Sequence, residues 1–226
     1  MIINIGMLAI ANSRSIHYIQ KMVDNDYFPS FVIVLQSKKN EITTGQKTGN
    51  SNEKFLRILS DNNIEFQIVP TIDINDKKVI QSLSKREEYI FIYSGPSGAI
   101  LKKEILSIGK KFLHIHPGKL PNFKGSTTVY YHILSDSCCS ASAIFLEENI
   151  DTGPIIHIKD YPLPENNIDL DYEYDPIIRS VLLIEVLNKY VQKNTFELTK
   201  QNSKSGETYF IMHPVLRHIA RLKLEK

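Results

Sequence analysis

Two histidines and one aspartate are the residues of this sequence best suited to acid/base chemistry. His114 and His116 stand at alternate positions at the end of an apolar run. Pro117-Gly118 follows and ends the strand, since proline lacks the backbone donor that a strand ladder needs. Asp151 lies in a second segment, where Thr-Gly-Pro completes a turn. Because a carboxylate can orient an imidazole that moves a proton, these residues predict an acid/base site.

A parallel sheet is the element that must position these side chains. Strand-length apolar runs alternate with helix-like segments, which predicts a doubly wound α/β fold. In such sheets ligands bind beyond the carboxyl ends of the strands, where we place both histidines and, alongside them, the loop 94–98. Predicted strands cover residues 1–10, 31–35, 64–69, 89–93, 112–116, 140–146 and 155–158. Predicted helices cover 14–23 (capped by Asn12 or Ser13), the segments around 55–59 and 79–83, 100–108, 127–134 and 168–191, the last interrupted at Pro176.

Composition excludes several classes of protein. The 27 basic and 25 acidic residues give a formal net charge of +2. A charge this small does not indicate nucleic-acid binding. No apolar run approaches the roughly 20 residues that span a bilayer. The first residues are typical of a strand and not of a signal peptide. Two adjacent cysteines, Cys138-Cys139, suit a reducing compartment. We expect one cytoplasmic domain with a mobile polar loop at 38–51 and a solvated basic C-terminal face; a homodimer is one possible assembly.

The segment His114–Gly125 and the later turn together resemble the folate-dependent formyltransferases. That family's pattern is Asn-x-His-x-Ser/Gly-x-Leu-Pro-x-x-Arg/Lys-Gly, followed by Asp-Thr-Gly-Pro. This chain reads HIHPGKLPNFKG, and then Asp151-Thr152-Gly153-Pro154. One position departs from the pattern, because His114 stands where the family has asparagine.

The resemblance implies a Rossmann-like formyltransferase domain at 1–195 and a C-terminal extension at 196–226 packed on it. It implies 10-formyltetrahydrofolate as co-substrate and no metal, with His114, His116 and Asp151 catalytic. An imidazole carries an N–H that can replace the asparagine donor, although a disabling substitution is the alternative. Expected folate contacts are Ser97, Gly98, Ile100, Glu147, Asn149 and Ile150. Expected acceptor contacts are Lys124, Thr128 and Tyr131.

The acceptor that we predict is a nucleotide-linked amino sugar of the 4-amino-4,6-dideoxy type, used for surface polysaccharide or flagellin glycan. Enzymes of this family that formylate methionyl-tRNA carry a further β-barrel domain, for which 226 residues leave no room. Enzymes acting on glycinamide ribonucleotide hold its phosphate at a glycine-rich turn after the first strand. Gly6 is the one glycine in that region here. The tail Gly206–Phe210 is also similar to that of the sugar enzymes.

Four other interpretations stay open. The chain could formylate another small amine, hydrolyse 10-formyltetrahydrofolate with water, or bind folate without turnover. A zinc site built from His114, His116 and Asp151 or His157 is a fourth, with no further Cys/His cluster to support it.

Overall fold

The computed structural model describes residues 1–37, 48–135, 138–165, 167–202 and 205–225, without the side chains of 48–50. The chain forms two compact units, Met1–His114 and Ile115–Lys226. The boundary falls inside one strand, so that a single strand carries both histidines. Among the described residues, no helix combines the length and the apolar character needed to cross a membrane.

The strands are β1 (Ile2–Ile3), β2 (Gly6–Ile10), β3 (Phe28–Pro29), β4 (Val32–Leu35), β5 (Phe66–Val69), β6 (Ile90–Ser94), β7 (Lys111–His116), β8 (Phe123–Gly125), β9 (Cys138–Phe145), β10 (Ile155–Pro162) and β11 (Glu207–Tyr209). The helices are α1 (Ser13–Val23), α2 (Thr48–Asp61), α3 (Lys77–Ser84), α4 (Lys103–Leu106), α5 (Thr128–Ser135), α6 (Asp175–Lys193) and α7 (Pro214–Leu224), with one π-helical turn at Leu170–Tyr174.

Seven strands form the main sheet, in the order β10-β9-β7-β6-β2-β4-β5. The pairs β5–β4, β4–β2, β2–β6 and β6–β7 are parallel, whereas β9 and β10 are antiparallel. The predicted doubly wound, mostly parallel sheet is confirmed. The strand order reverses between β2 and β6, which makes this the topological switch point at which such sheets bind ligands. Strands β4 and β6 are buried at every position, as expected of strands covered on both faces.

Local chemistry explains the start of α1. The side chain of Asn12 accepts a hydrogen bond from the Ser15 N–H, which satisfies one of the unpaired donors of the first turn. Tyr18, Ile19 and Met22 form the buried face of this helix. The predicted helix and one of the two predicted caps are therefore confirmed.

Two predicted elements were wrong at their ends, and a third changes its helix type at the expected interruption. The single strand expected at 1–10 is two strands, because β1 turns aside to pair with β3 while β2 enters the main sheet. The helix expected at 100–108 is only the single turn α4, and Gly109 with its left-handed φ of 79° follows closely. The helical stretch expected at 168–191 begins as the π-helical turn Leu170–Tyr174 and changes to an α-helix at Asp175, next to Pro176, where the interruption was expected.

Two further expectations concern the polar loop and the C-terminal helix. Of the loop predicted at 38–51, residues 38–47 lie outside the described residues, and Thr48–Ser51 belong to α2. The basic face of α7 was expected to be exposed to solvent, but two of its arginines contact Tyr130. Arg217 lies with its guanidinium 5.2 Å from the Tyr130 ring centre, and Arg221 donates a hydrogen bond of 3.3 Å to the Tyr130 hydroxyl. These contacts pack α7 on α5.

A buried ion pair in the first unit gives the fold a testable dependence on pH. Glu88 is 3% exposed. Burial opposes ionisation of this carboxyl, but hydrogen bonds from Arg86 at 2.9 and 3.1 Å and from Ser30 at 2.8 Å outweigh it. The pKa of Glu88 is consequently lowered from 4.5 to about 2. The pair therefore stabilises the fold fully above pH 4.5, and the stabilisation disappears as the pH falls towards 2.

We expect Glu88→Gln to lower the free energy of unfolding at pH 7 by about 3 kcal/mol, from the size of this pKa shift. Urea unfolding at pH 7 and at pH 3 measures the effect, which should shrink at the lower pH. The matched control is Glu87→Gln, because Glu87 is the exposed neighbouring glutamate. Equal effects of the two substitutions would contradict the assignment.

Candidate active site

The end of β7 presents the two histidines. His114 and His116 are alternate residues of one strand, so their side chains leave the same face of the sheet. His116 is 1% exposed and His114 is partly buried. A glycine is required at position 118, since a Cβ there would lie 2.7 Å from both His116 Nε2 and the Phe123 carbonyl oxygen. The turn that ends β7 thus lets the backbone pass close to the His116 ring.

The structure brings His116 and Asp151 together. His116 Nδ1 lies 3.3 Å from Asp151 Oδ2, and Asp151 is 8% exposed. The Gly125 N–H donates a hydrogen bond of 2.8 Å to the same carboxylate oxygen. The backbone donor and the imidazole thus hold the Asp151 carboxylate in one position.

The contact of the other ring nitrogen of His116, Nε2, shows that this nitrogen carries a hydrogen. Nε2 lies 2.6 Å from the Phe123 carbonyl oxygen, and a carbonyl oxygen only accepts hydrogen bonds. Nε2 therefore carries a hydrogen, while Nδ1 faces a carboxylate. An imidazolium satisfies both contacts, with one N–H donated to each oxygen. In this arrangement Nε2 of His116 carries a hydrogen, and Nδ1 and the Asp151 carboxylate are the atoms of the pair between which a proton can move.

Strand β8 supplies both backbone contacts to this pair, from Phe123 and from Gly125. It pairs in parallel with β11, and the Ser126 N–H donates to the Tyr209 carbonyl at 2.8 Å. Gly125 has a φ of 97°, and a Cβ there would lie 2.1 Å from Tyr209 O. Only glycine fits this close approach of the two strands.

In the first unit, the aromatic ring of Tyr93 lies beside His114. The ring centres of Tyr93 and His114 are 5.8 Å apart in an edge-on arrangement. Burial raises the pKa of Tyr93 to about 12, against the smaller opposing effect of the Arg14 charge. The phenol thus stays neutral near pH 7 and places no negative charge beside the imidazole.

The three residues expected to contact the acceptor have their polar atoms engaged within the protein. Lys124 is buried, and its ammonium donates to the Ser205 carbonyl at 2.8 Å. Thr128 is buried, and its hydroxyl donates to the Pro117 carbonyl. Tyr131 is partly exposed, and its hydroxyl donates to the Phe210 carbonyl at 3.1 Å. Contact with a substrate would require these bonds to be shared or exchanged.

The residues expected to contact folate are solvent-exposed. In the first unit, Ser97 and Gly98 form a turn with Gly98 at a φ of 74°, and Ile100 follows. In the second unit, Glu147, Asn149 and Ile150 lie in the irregular segment after β9.

A metal could be held by one group of side chains in the part of the chain that the structure describes, and it is the same His114, His116 and Asp151. Two imidazoles and a carboxylate are a ligand set that zinc accepts. In the His116 ring, Nε2 is hydrogen-bonded to the Phe123 carbonyl oxygen and Nδ1 faces Asp151. A metal bound at Nδ1 would displace the contact between His116 and Asp151.

Gln201 is a residue of the site that sequence patterns missed. Its side-chain amide donates to the carbonyl oxygens of Asp151 and Gly153, at 3.0 and 2.6 Å. Because it lies 50 residues beyond Asp151 and outside any motif, no local signal marks it.

Comparison with known proteins shows what the chain resembles. No family model matches it. Methionyl-tRNA formyltransferase from Ehrlichia canis is 32% identical over 134 residues, which are 58% of this chain and 43% of that protein. The same enzyme from Finegoldia magna is 25% identical over 143 residues, 61% of this chain and 44% of its own length. The chain is a homologue of the folate-dependent formyltransferases. It spans less than half the length of these two relatives.

Solved formyltransferase structures share the fold. An N-formyltransferase from Helicobacter canadensis, in complex with folinic acid and dTDP-3-aminofucose, matches with a TM-score of 0.62 and 21% identity over 92% of this chain and 71% of that one. Glycinamide ribonucleotide transformylase 1 from Symbiobacterium toebii gives a TM-score of 0.62 and 14% identity, over 88% of this chain and 93% of its own. The formyltransferase fold predicted from the sequence is confirmed by these likenesses.

Proposed function

We propose that this formyltransferase homologue is an N-formyltransferase, which moves a formyl group from 10-formyltetrahydrofolate to the primary amine of a nucleotide-linked amino sugar. The observation that carries the proposal is the buried His116–Asp151 pair, held by the Gly125 N–H and the Phe123 carbonyl. Transfer of a formyl group to an amine needs a proton acceptor and donors to a developing oxyanion. We assign the first role to Asp151 and the N–H donor role to His114.

The proposed mechanism begins with attack of the neutral amine nitrogen on the formyl carbon. A C–N bond forms, and the carbonyl oxygen becomes an oxyanion that an N–H of His114 and the positive charge of His116 stabilise. Asp151 accepts the proton that the amine nitrogen loses, directly or through water. The bond from the formyl carbon to the folate nitrogen then breaks, and that nitrogen takes up the proton. His116 holds its proton throughout and keeps Asp151 in position.

The folate is proposed to contact Ser97, Gly98, Ile100, Glu147, Asn149 and Ile150. Two of these side chains are exposed and apolar, Ile100 and Ile150. Apolar contacts with a few backbone hydrogen bonds suit a flat pterin ring. The folinic acid in the Helicobacter canadensis N-formyltransferase supports a reduced folate as ligand of this fold.

Structural and sequence likenesses favour different acceptors. The Helicobacter canadensis enzyme, solved with dTDP-3-aminofucose, and a sugar 3N-formyltransferase, solved with dTDP, support a nucleotide-linked amino sugar. Methionyl-tRNA formyltransferases are the relatives in sequence, which makes methionyl-tRNA the second candidate. The nearly balanced charge favours the sugar, because a tRNA ligand requires a basic surface for its phosphates.

A mass-spectrometric assay tests the proposal. The protein is incubated with 10-formyltetrahydrofolate and, separately, with dTDP-linked 3-amino and 4-amino sugars, with methionyl-tRNA, and with no acceptor. We expect a formyl mass gain on a sugar, with tetrahydrofolate release that depends on that sugar. Formylated methionyl-tRNA would identify the second candidate, and release without any acceptor would identify a hydrolase. If calorimetry shows that folinic acid binds but no acceptor is formylated, the protein is a folate-binding protein without this activity.

A further inference from the structure

Asp151 occupies a backbone conformation that needs support. Its φ is 53°, in the left-handed region that residues other than glycine rarely adopt. Aspartate tolerates this region better than most residues, yet the conformation still persists only where the surroundings hold it. The turn 149–153 must therefore be fixed from outside if the carboxylate is to stay beside His116.

Gln201 supplies that support. Its amide nitrogen has two hydrogens, and it donates to the Asp151 carbonyl at 3.0 Å and to the Gly153 carbonyl at 2.6 Å. The two bonds hold the backbone on both sides of Thr152. A carbonyl oxygen only accepts, so the side-chain nitrogen, and not its oxygen, must face the turn.

The backbone around Gln201 is itself anchored at two points. Ile155 and Thr199 exchange two backbone hydrogen bonds of 2.8 Å each, two residues before Gln201. Four residues after it, the Ser205 carbonyl accepts the Lys124 ammonium at 2.8 Å. Thr199 is thus attached to β10, and Ser205 to β8.

We propose that Gln201 is a positioning residue, which acts on formyl transfer through Asp151. The proposal rests on the proposed function for its catalytic consequence, but its structural content stands apart from turnover. If Gln201 releases the turn, Asp151 moves away from His116 and from the Gly125 N–H. A displacement of about 1 Å in a catalytic group costs up to roughly 100-fold in rate, mainly in kcat.

Gln201→Met tests this assignment, since methionine keeps the length of the side chain and removes both N–H donors. We expect kcat to fall ~10- to 100-fold with KM for the acceptor changing less than threefold. We also expect faster hydrogen exchange of the Gly125 amide, which donates to Asp151 Oδ2, while the Ser126 amide on Tyr209 stays protected. Gln192→Met is the matched control, because Gln192 is exposed on α6.

The exchange measurement separates the two proposals. If the wild type transfers no formyl group, the proposed function fails, but the Gly125 amide still reports whether Gln201 holds Asp151. Unchanged Gly125 exchange together with unchanged turnover in Gln201→Met would overturn the positioning role. If that variant does not fold, Gln201→Asn replaces it, because the shorter amide cannot reach both carbonyls. The same selective loss of Gly125 protection is then expected, and its absence overturns the role equally.

Discussion

Replacing His116 with alanine should lower the rate of formyl transfer by ~100-fold or more, and Asp151→Asn should do the same. His116→Ala removes the imidazole beside Asp151 and the N–H donated to Phe123. Asp151→Asn keeps the size of the side chain, and its amide oxygen can still accept from Gly125, but it cannot accept a proton from the amine. The two losses arise from one proton-holding pair.

Single-turnover and steady-state rates with the identified acceptor measure this prediction. Because the two residues act as a unit, the double variant should be no more than a few-fold slower than either single variant. His218→Ala is the matched control, since His218 is exposed on α7. Circular dichroism and thermal melting must show that each variant stays folded. Rates near that of the wild type in both single variants would refute the assignment.

His114→Ala should cost ~3 to 4 kcal/mol of transition-state stabilisation, or roughly two to three decades in rate, if the imidazole donates to the oxyanion. His114→Asn should keep part of the activity, because the asparagine amide also presents an N–H. Its reach from the backbone differs from that of histidine, so full activity is not expected.

The comparison of the alanine and asparagine variants decides the role of His114. A gap of at least tenfold between them, at similar KM for folate, would show that the N–H matters. Equal rates in both variants and the wild type would make His114 a packing residue against Tyr93. An asparagine variant faster than the wild type would mark histidine as the disabling substitution.

The sequence predicted the sheet and the histidine strand because both leave local signals. Apolar runs of strand length mark β4, β6 and β7, and the Pro-Gly turn marks where β7 ends. Asp151 was found through its Thr-Gly-Pro neighbours. The sequence could not predict that Phe123 and Gly125 contact the pair through backbone atoms, since any residue type offers those groups.

The role of Gln201 and the pairing of β11 with β8 were missed for the same reason. The role of β11 depends on pairing with β8 over more than 80 positions, and that of Gln201 on a contact 50 residues away. Lys124 also has a distant backbone partner that no local pattern reports. Its motif position suggested a substrate contact, and tertiary packing gave its ammonium the Ser205 carbonyl as a partner. Spacing patterns report local periodicity and turns, but they do not report which distant backbone atom a side chain meets.

The pairing of β8 with β11 also bears on the order in which the molecule folds. Strands β2 and β4 are about 25 residues apart in the chain, whereas Gly125 and Tyr209 are separated by 84. Closing the longer loop costs more chain entropy, and contacts of long sequence separation form slowly. We infer that the sheet of the first unit can form while the second unit is still incomplete. The acid/base pair then acquires its support among the last steps of folding, after Gln201 and β11 have docked.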